Sequence, residues 1–140
     1  TLRFLGGVDA GAGEALRRAL DGVAAQAGAV VASTGPRPEA LGRSVWIVPV
    51  QGLEELARSV CATTGDIGQP VPDRPFRGHL TLARARRPAA LDGLPGGPFA
   101  GQWAVTDLTL VRSELQAEGA RYSVAGRWPM GADRPAGGPQ

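Results

Sequence analysis

The run Ser44–Val50, SVWIVPV, limits the fold more than any other stretch. It sets Val45, Trp46, Ile47 and Val48 in succession. In an extended segment these side chains project alternately to both faces. A strand that is apolar on both faces sits in the middle of a sheet, with cover above and below. The chain of 140 residues is long enough to supply that cover as one domain with a real core.

The remaining elements follow from periodicity and punctuation. Thr1–Leu5 predicts a strand stopped by Gly6-Gly7, with Thr1, Arg3 and Leu5 on one face and Leu2 and Phe4 on the other. Glu14–Ala27 predicts a helix: Leu16, Leu20, Val23, Ala24 and Ala27 recur at helical spacing, and Gly28 supplies a stop. Ala29–Ser33 predicts a short strand before a Gly35-Pro36-Arg37-Pro38 turn. A second helix is expected over Leu53–Thr63, with Leu53, Leu56 and Val60 as its buried stripe. Cys61 beside that stripe reads as a small core residue and not a nucleophile. Gln69–Pro75 holds three prolines and cannot join a ladder, so it is an extended connector.

Beyond Arg84, the basic, proline-broken Arg86-Arg87-Pro88 leads into a weak helix or loop as far as Gly101. The two arginines read first as a solvated charge cluster. Val105–Arg112 is a strand with Leu108 and Leu110 on one side, joined through Ser113–Gly119 to a partner strand, Arg121–Arg127. Trp46 and Trp103 are assigned to the core. The tail, residues 131–140, is Gly, Pro and Ala without periodicity and is expected to be disordered. Strands and helices interleave, yet short hairpin links occur too. The expected class is α+β with a mostly antiparallel sheet.

Composition excludes several functions. A formal charge of +2 is too small to argue for a polyanion partner. All fifteen basic residues are arginine, whose forked guanidinium suits bidentate phosphate contact wherever one faces a cleft. A single cysteine permits no disulfide framework and no cysteine metal site. No apolar run approaches the roughly 18 residues of a membrane span. With no leader visible, the cytoplasm is the expected location. The chain begins at Thr1, in the middle of what reads as a strand, so a fragment of a longer protein is expected.

The one stretch that combines strand character with chemistry is Phe76–Arg84, FRGHLTLAR. It holds the only histidine, His79, two residues ahead of Thr81. Strand alternation puts His79, Thr81 and Ala83 on one face, with Leu80 and Leu82 turned to anchor the strand in a core. An imidazole and a hydroxyl side by side suit proton transfer next to a bound anion. A hydrogen-bonded, inert histidine at a strand edge fits the same stretch. The TL pair recurs: TLRF at Thr1 and TLAR at Thr81, each followed by an arginine, as though one strand were duplicated to serve two halves of a site.

These segments together resemble the 2H phosphoesterase superfamily, and within it the RNA 2′,3′-cyclic phosphodiesterases, also called 2′-5′ RNA ligases. TLRFLG at Thr1–Gly6 resembles the first H-x-T-x motif from its threonine onward. RPFRGHLTLAR at Arg74–Arg84 resembles the second, with Gly78 in place of the usual proline. LTLVRSEL at Leu108–Leu115 and GARYSVAGRWP at Gly119–Pro129 resemble the closing hairpin. The resemblance spans residues 1–130 as a single domain. It implies a bilobal fold, two mostly antiparallel sheets flanked by helices around a central cleft. By the same pattern a histidine is expected two residues before Thr1, and the family's opening strand and helix are expected to be missing.

The implied activity is hydrolysis of an RNA 2′,3′-cyclic phosphodiester end to a 2′-phosphate, without metal or other cofactor, reversible as 2′-5′ ligation. Two histidines share the proton transfers. The resemblance makes His79 the catalytic base and places Thr1, Thr81, Arg84 and Arg3 on the substrate phosphate. Arg84, five after His79, faces away from it in a regular strand and needs a bulge or the strand end to reach the cleft. Phe76 is a candidate for base stacking, with core packing as its plainer role. The implied partner is an RNA 3′ end bearing the cyclic phosphate, or a small cyclic nucleotide. No membrane and no obligate protein partner are expected. A non-catalytic RNA-end or nucleotide-binding module is the alternative from another class.

Overall fold

The computed structural model describes residues 1–86, 91, 93–117 and 119–131. Arg87, Pro88 and the tail beyond Gly131, for which a loop and disorder were expected, lie outside the described residues. In chain order the elements are α1 (Ala12–Gln26), β1 (Val30–Thr34), β2 (Glu39–Leu41), β3 (Val45–Gln51), α2 (Glu54–Thr63), β4 (His79–Arg84), β5 (Gly101–Val105), β6 (Asp107–Gln116) and β7 (Gly119–Pro129). Among the described residues the fold is α+β, two helices with a five-stranded and a two-stranded sheet, every pairing antiparallel.

β3 is the central strand its sequence requires. β2 and β1 pair with opposite ends of one of its edges, and β4 occupies the other. Successive residues Ile47 and Val48 project to opposite faces, and both are 0% exposed. β1 extends the sheet to β5, a strand hidden from the sequence because Gly101–Val105 lacks a clear apolar alternation. β2 was also missed; three residues after a Gly-Pro turn give too short a pattern to read. Trp103 departs from its core assignment. It lies on β5, which among the described residues pairs only with β1, and edge position leaves it 40% exposed.

The helices close a second core against the hairpin. α1 buries Leu16, Leu20, Val23 and Ala24 on one stripe, packed against Leu56 and Val60 of α2, Leu108 of β6, and Met130. The α1 N-terminus is held by the Asp9 carboxylate, which accepts from Ala12 N at 2.7 Å. Arg17 at its middle donates to Ala125 O of β7 at 3.0 Å. Glu54 and Glu55 in the first turn of α2 complement the helix dipole. Among the described residues no helix is long and apolar enough to cross a membrane.

Thr1–Leu5 is not a strand. It lies over the second core, with Leu2 and Leu5 packed in and Phe4 exposed, and among the described residues it pairs with no sheet. What holds it is the loop after α2: Gln69 N donates to Leu5 O at 2.8 Å. The chain approaches so closely there that a Cβ on Gly68, at φ +72°, would collide with Leu5 O. Alternation alone predicted a strand; without a neighbouring strand the backbone has no ladder to join.

Candidate active site

β4 carries His79, Thr81 and Arg84, and its pairing with β3 decides where each points. The register runs Pro49–His79, Val48–Leu80, Ile47–Thr81, then shifts to Trp46–Ala83 and Val45–Arg84. Leu82 is thus the extra residue of a β-bulge. Residues directly opposite in an antiparallel pair project to the same face. Pro49, Ile47 and Val45 alternate along β3 and share a face, so His79, Thr81 and Arg84 share it too. The bulge brings Arg84 round to the histidine, against strict alternation, and sends Ala83 to the opposite face with Leu80.

The leucines do not anchor β4 as expected. Leu80 and Leu82 remain 45% and 46% exposed. Among the described residues β4 pairs only with β3, with no strand on its far side, and the bulge leaves Leu82 out of the ladder. Backbone contact secures the strand instead. Val50 N donates to Gly78 O at 2.9 Å, and a Cβ on Gly78 would collide with Val50 O. Only glycine lets the peptide before His79 lie this close to β3. Phe76 is half-buried, its ring edge close to Gly78, so packing is its role in this structure.

The half-buried imidazole of His79 has a defined partner: Nδ1 lies 2.8 Å from Arg77 O. A carbonyl only accepts, so Nδ1 carries the hydrogen and the lone pair of the neutral ring resides on Nε2. The free nitrogen is therefore a proton acceptor. Thr81 and Arg84 are exposed on the same face, and among the described residues neither side chain has a hydrogen-bond or ion-pair partner. A base, a hydroxyl and a guanidinium in a row fit a phosphate ester and the water that attacks it. Among the described residues no three His, Cys, Asp or Glu side chains group as metal ligands.

The two residues from the start of the chain are placed differently. Arg3 Nη1 donates to the carbonyl and hydroxyl of Thr64, and Nη2 donates to Ile67 O at 3.0 Å and Gln69 O at 2.8 Å. Its Nε is buried and has no partner among the described residues. Protein acceptors thus occupy this guanidinium. Thr1 is exposed and lines, with Arg3, Arg17, Thr109, Arg112 and Tyr122, a cavity of about 1090 Å³ between the N-terminal segment and the hairpin. None of His79, Thr81 and Arg84 lines that cavity. Sequence reading also missed Glu39, on unpredicted β2. Its carboxylate Oε1 accepts from Arg77 Nη2 at 2.5 Å, beside the histidine.

Known proteins share this fold. The fold is that of the 2H phosphoesterases: TT0787 of Thermus thermophilus superposes with a TM-score of 0.76 at 29% identity, over 94% of this chain and 78% of that one. Escherichia coli LigT, crystallised with 3′-AMP, also gives 0.76, at 28% identity, over 93% of this chain and 75% of its own. No family model matches. The RNA 2′,3′-cyclic phosphodiesterase of E. coli is 32% identical over 133 residues, which cover 93% of this chain and 74% of that enzyme. The T. thermophilus enzyme of the same name is 36% identical over 81 residues, 56% of this chain and 36% of its own length. The chain belongs to the RNA 2′,3′-cyclic phosphodiesterase family.

Proposed function

We propose that the protein hydrolyses RNA ends carrying a 2′,3′-cyclic phosphate to 2′-phosphomonoesters, with His79 as the base. The observation that carries the reading is the co-facial row His79, Thr81 and Arg84, with Nδ1 committed to Arg77 O so that Nε2 is the acceptor. Water attacks phosphorus as Nε2 takes its proton. The P–O3′ bond breaks, and the departing 3′ oxygen takes a proton from an acid. The Thr81 hydroxyl and Arg84 guanidinium stabilise the charge that builds on the non-bridging oxygens. His79 is the only histidine of this chain. The family pattern assigns the acid to a histidine two residues before Thr1, and Thr1 to the same phosphate. With a 5′-hydroxyl in place of water as the nucleophile, the same proton transfers join the cyclic end to it as P–O3′ breaks, the ligation reading.

Arg3 enters this scheme as the anchor of the N-terminal segment, since its donors are taken by Thr64, Ile67 and Gln69. A small cyclic nucleotide is the second reading; it is favoured by the mononucleotide that the crystallised LigT accepts. The test uses protein expressed from the complete reading frame and assayed on an oligonucleotide ending in a 2′,3′-cyclic phosphate, beside cyclic mononucleotides. Turnover of the oligonucleotide to a 2′-phosphate supports the RNA reading. Turnover of mononucleotides alone moves the assignment to the second. Binding of the oligonucleotide without turnover makes the protein a binding module.

A further inference from the structure

We infer that Glu39 and Arg77 are positioning residues for His79: their ion pair fixes the peptide that sets the imidazole tautomer. The inference rests on the proposed role of His79 and deepens it. Arg77 does two things at once. Its carbonyl accepts from His79 Nδ1 at 2.8 Å, and its guanidinium Nη2 donates to Glu39 Oε1 at 2.5 Å.

The register shows why this pair sits where it matters. Glu39 lies opposite Ile47, and Ile47 lies opposite Thr81. Glu39 therefore shares the face of His79 and Thr81, and the Arg77 side chain reaches across β3 on that face to meet it. The chain leading to Arg77 needs such a tether. Residues from Gln69 to Pro75 are all exposed, and three are proline, without an N–H to give a ladder. Gly78 is pinned by Val50 N, whereas Arg77, one residue earlier, is tied to the sheet by its side chain.

A carbonyl that drifts from Nδ1 no longer selects the Nδ1–H tautomer, and the fraction of rings presenting a free Nε2 falls. The pair is half-exposed, with side-chain exposures of 55% and 45%, so its effect is moderate. It acts on the base itself, and binding is expected to change little.

His79 is the only histidine among residues 1–140, and comparison with His79→Gln assigns its ring signals. Nitrogen NMR of the substrate-free protein reads the His79 tautomer directly, in wild type, Arg77→Met, Glu39→Gln and the exchanged pair Glu39→Arg/Arg77→Glu. Arg77→Met keeps the backbone carbonyl and the aliphatic stem and removes only the ion pair. Each single variant is expected to mix Nε2–H into the wild-type Nδ1–H signal, and the exchanged pair to restore it. In the protein from the complete reading frame, kcat on the cyclic-phosphate oligonucleotide is expected to fall about 2- to 5-fold with KM unchanged, the scale of a half-exposed ion pair. A wild-type tautomer in both single variants overturns the inference, whatever the activity. If the tautomer shifts and the wild-type protein turns over no cyclic phosphate, the clamp stands and the proposed reaction fails.

Discussion

The chain writes nearly the same words twice, TLRF at its start and TLAR in β4, and the structure gives them different work. In β4 the threonine and arginine join a ladder. A bulge at Leu82 corrects the phase, and Arg84 arrives on the face of His79 with its guanidinium unpaired among the described residues. In Thr1–Leu5 there is no ladder. Arg3 turns its donors onto the carbonyls of the loop after α2 and becomes a structural pin. An arginine beside TL is therefore not a phosphate ligand by composition. Whether it is free to bind depends on what the neighbouring backbone leaves unsatisfied.

The contrast is broken most severely by removing the histidine of β4, the proposed base. In the protein from the complete reading frame, His79→Ala is expected to lower kcat about 10²- to 10⁴-fold, the range of a general base. Tm should hold, because the ring is half-buried and makes one local hydrogen bond. Steady-state kinetics beside a thermal melt check both halves.

Exchanging the fates of the two arginines is the next test. Arg84→Ala is expected to cost about 10- to 100-fold in kcat/KM, the value of charge-assisted bonds to phosphate, with an unchanged melt. Arg3→Ala should do the reverse: about 2–3 kcal/mol of stability lost in urea titration, because Thr64, Ile67 and Gln69 lose their donor. Equal losses of activity in the two variants would merge the roles separated above.

Gly78 tests the backbone that delivers His79. Gly78→Ala forces a Cβ onto Val50 O, and about 1–3 kcal/mol of destabilisation is expected from the overpacking. The smallest effect belongs to Leu82. Deleting this residue removes the bulge but leaves Arg84 opposite Val45. Activity is expected within about 3-fold of wild type, since each side chain keeps its face. An Ala inserted between Ala83 and Arg84 turns the guanidinium away and should match Arg84→Ala.

Much of this was legible in the sequence, for identifiable reasons. Val45–Val50 announced a central strand because residues apolar on both faces admit few other placements, and α1 and α2 followed from long, regular stripes. β2 and β5 were not legible: three residues, or five with a glycine and a glutamine, carry too little periodicity, and only their pairing with β3 and β1 makes them strands. His79, Thr81 and Arg84 were visible as candidates. Alternation put His79 and Thr81 on one face; that Arg84 joins them was not legible, because a bulge is set by register between two strands and leaves no mark in one. The acceptors of Arg3 were not legible for the same reason, since they lie sixty and more residues away. Glu39 and Arg77 became partners only once β2 was known to exist.

The central claim is that the β4 face bearing His79, Thr81 and Arg84 holds the substrate phosphate. A crystal structure of the protein with adenosine 2′-monophosphate, the mononucleotide form of the proposed product, tests it directly. The expected result places the phosphate within hydrogen-bonding distance of His79 Nε2, Thr81 Oγ1 and the Arg84 guanidinium. A phosphate seated instead among Arg3, Arg17 and Arg112 in the cavity beside the hairpin, with the β4 face empty, would contradict it.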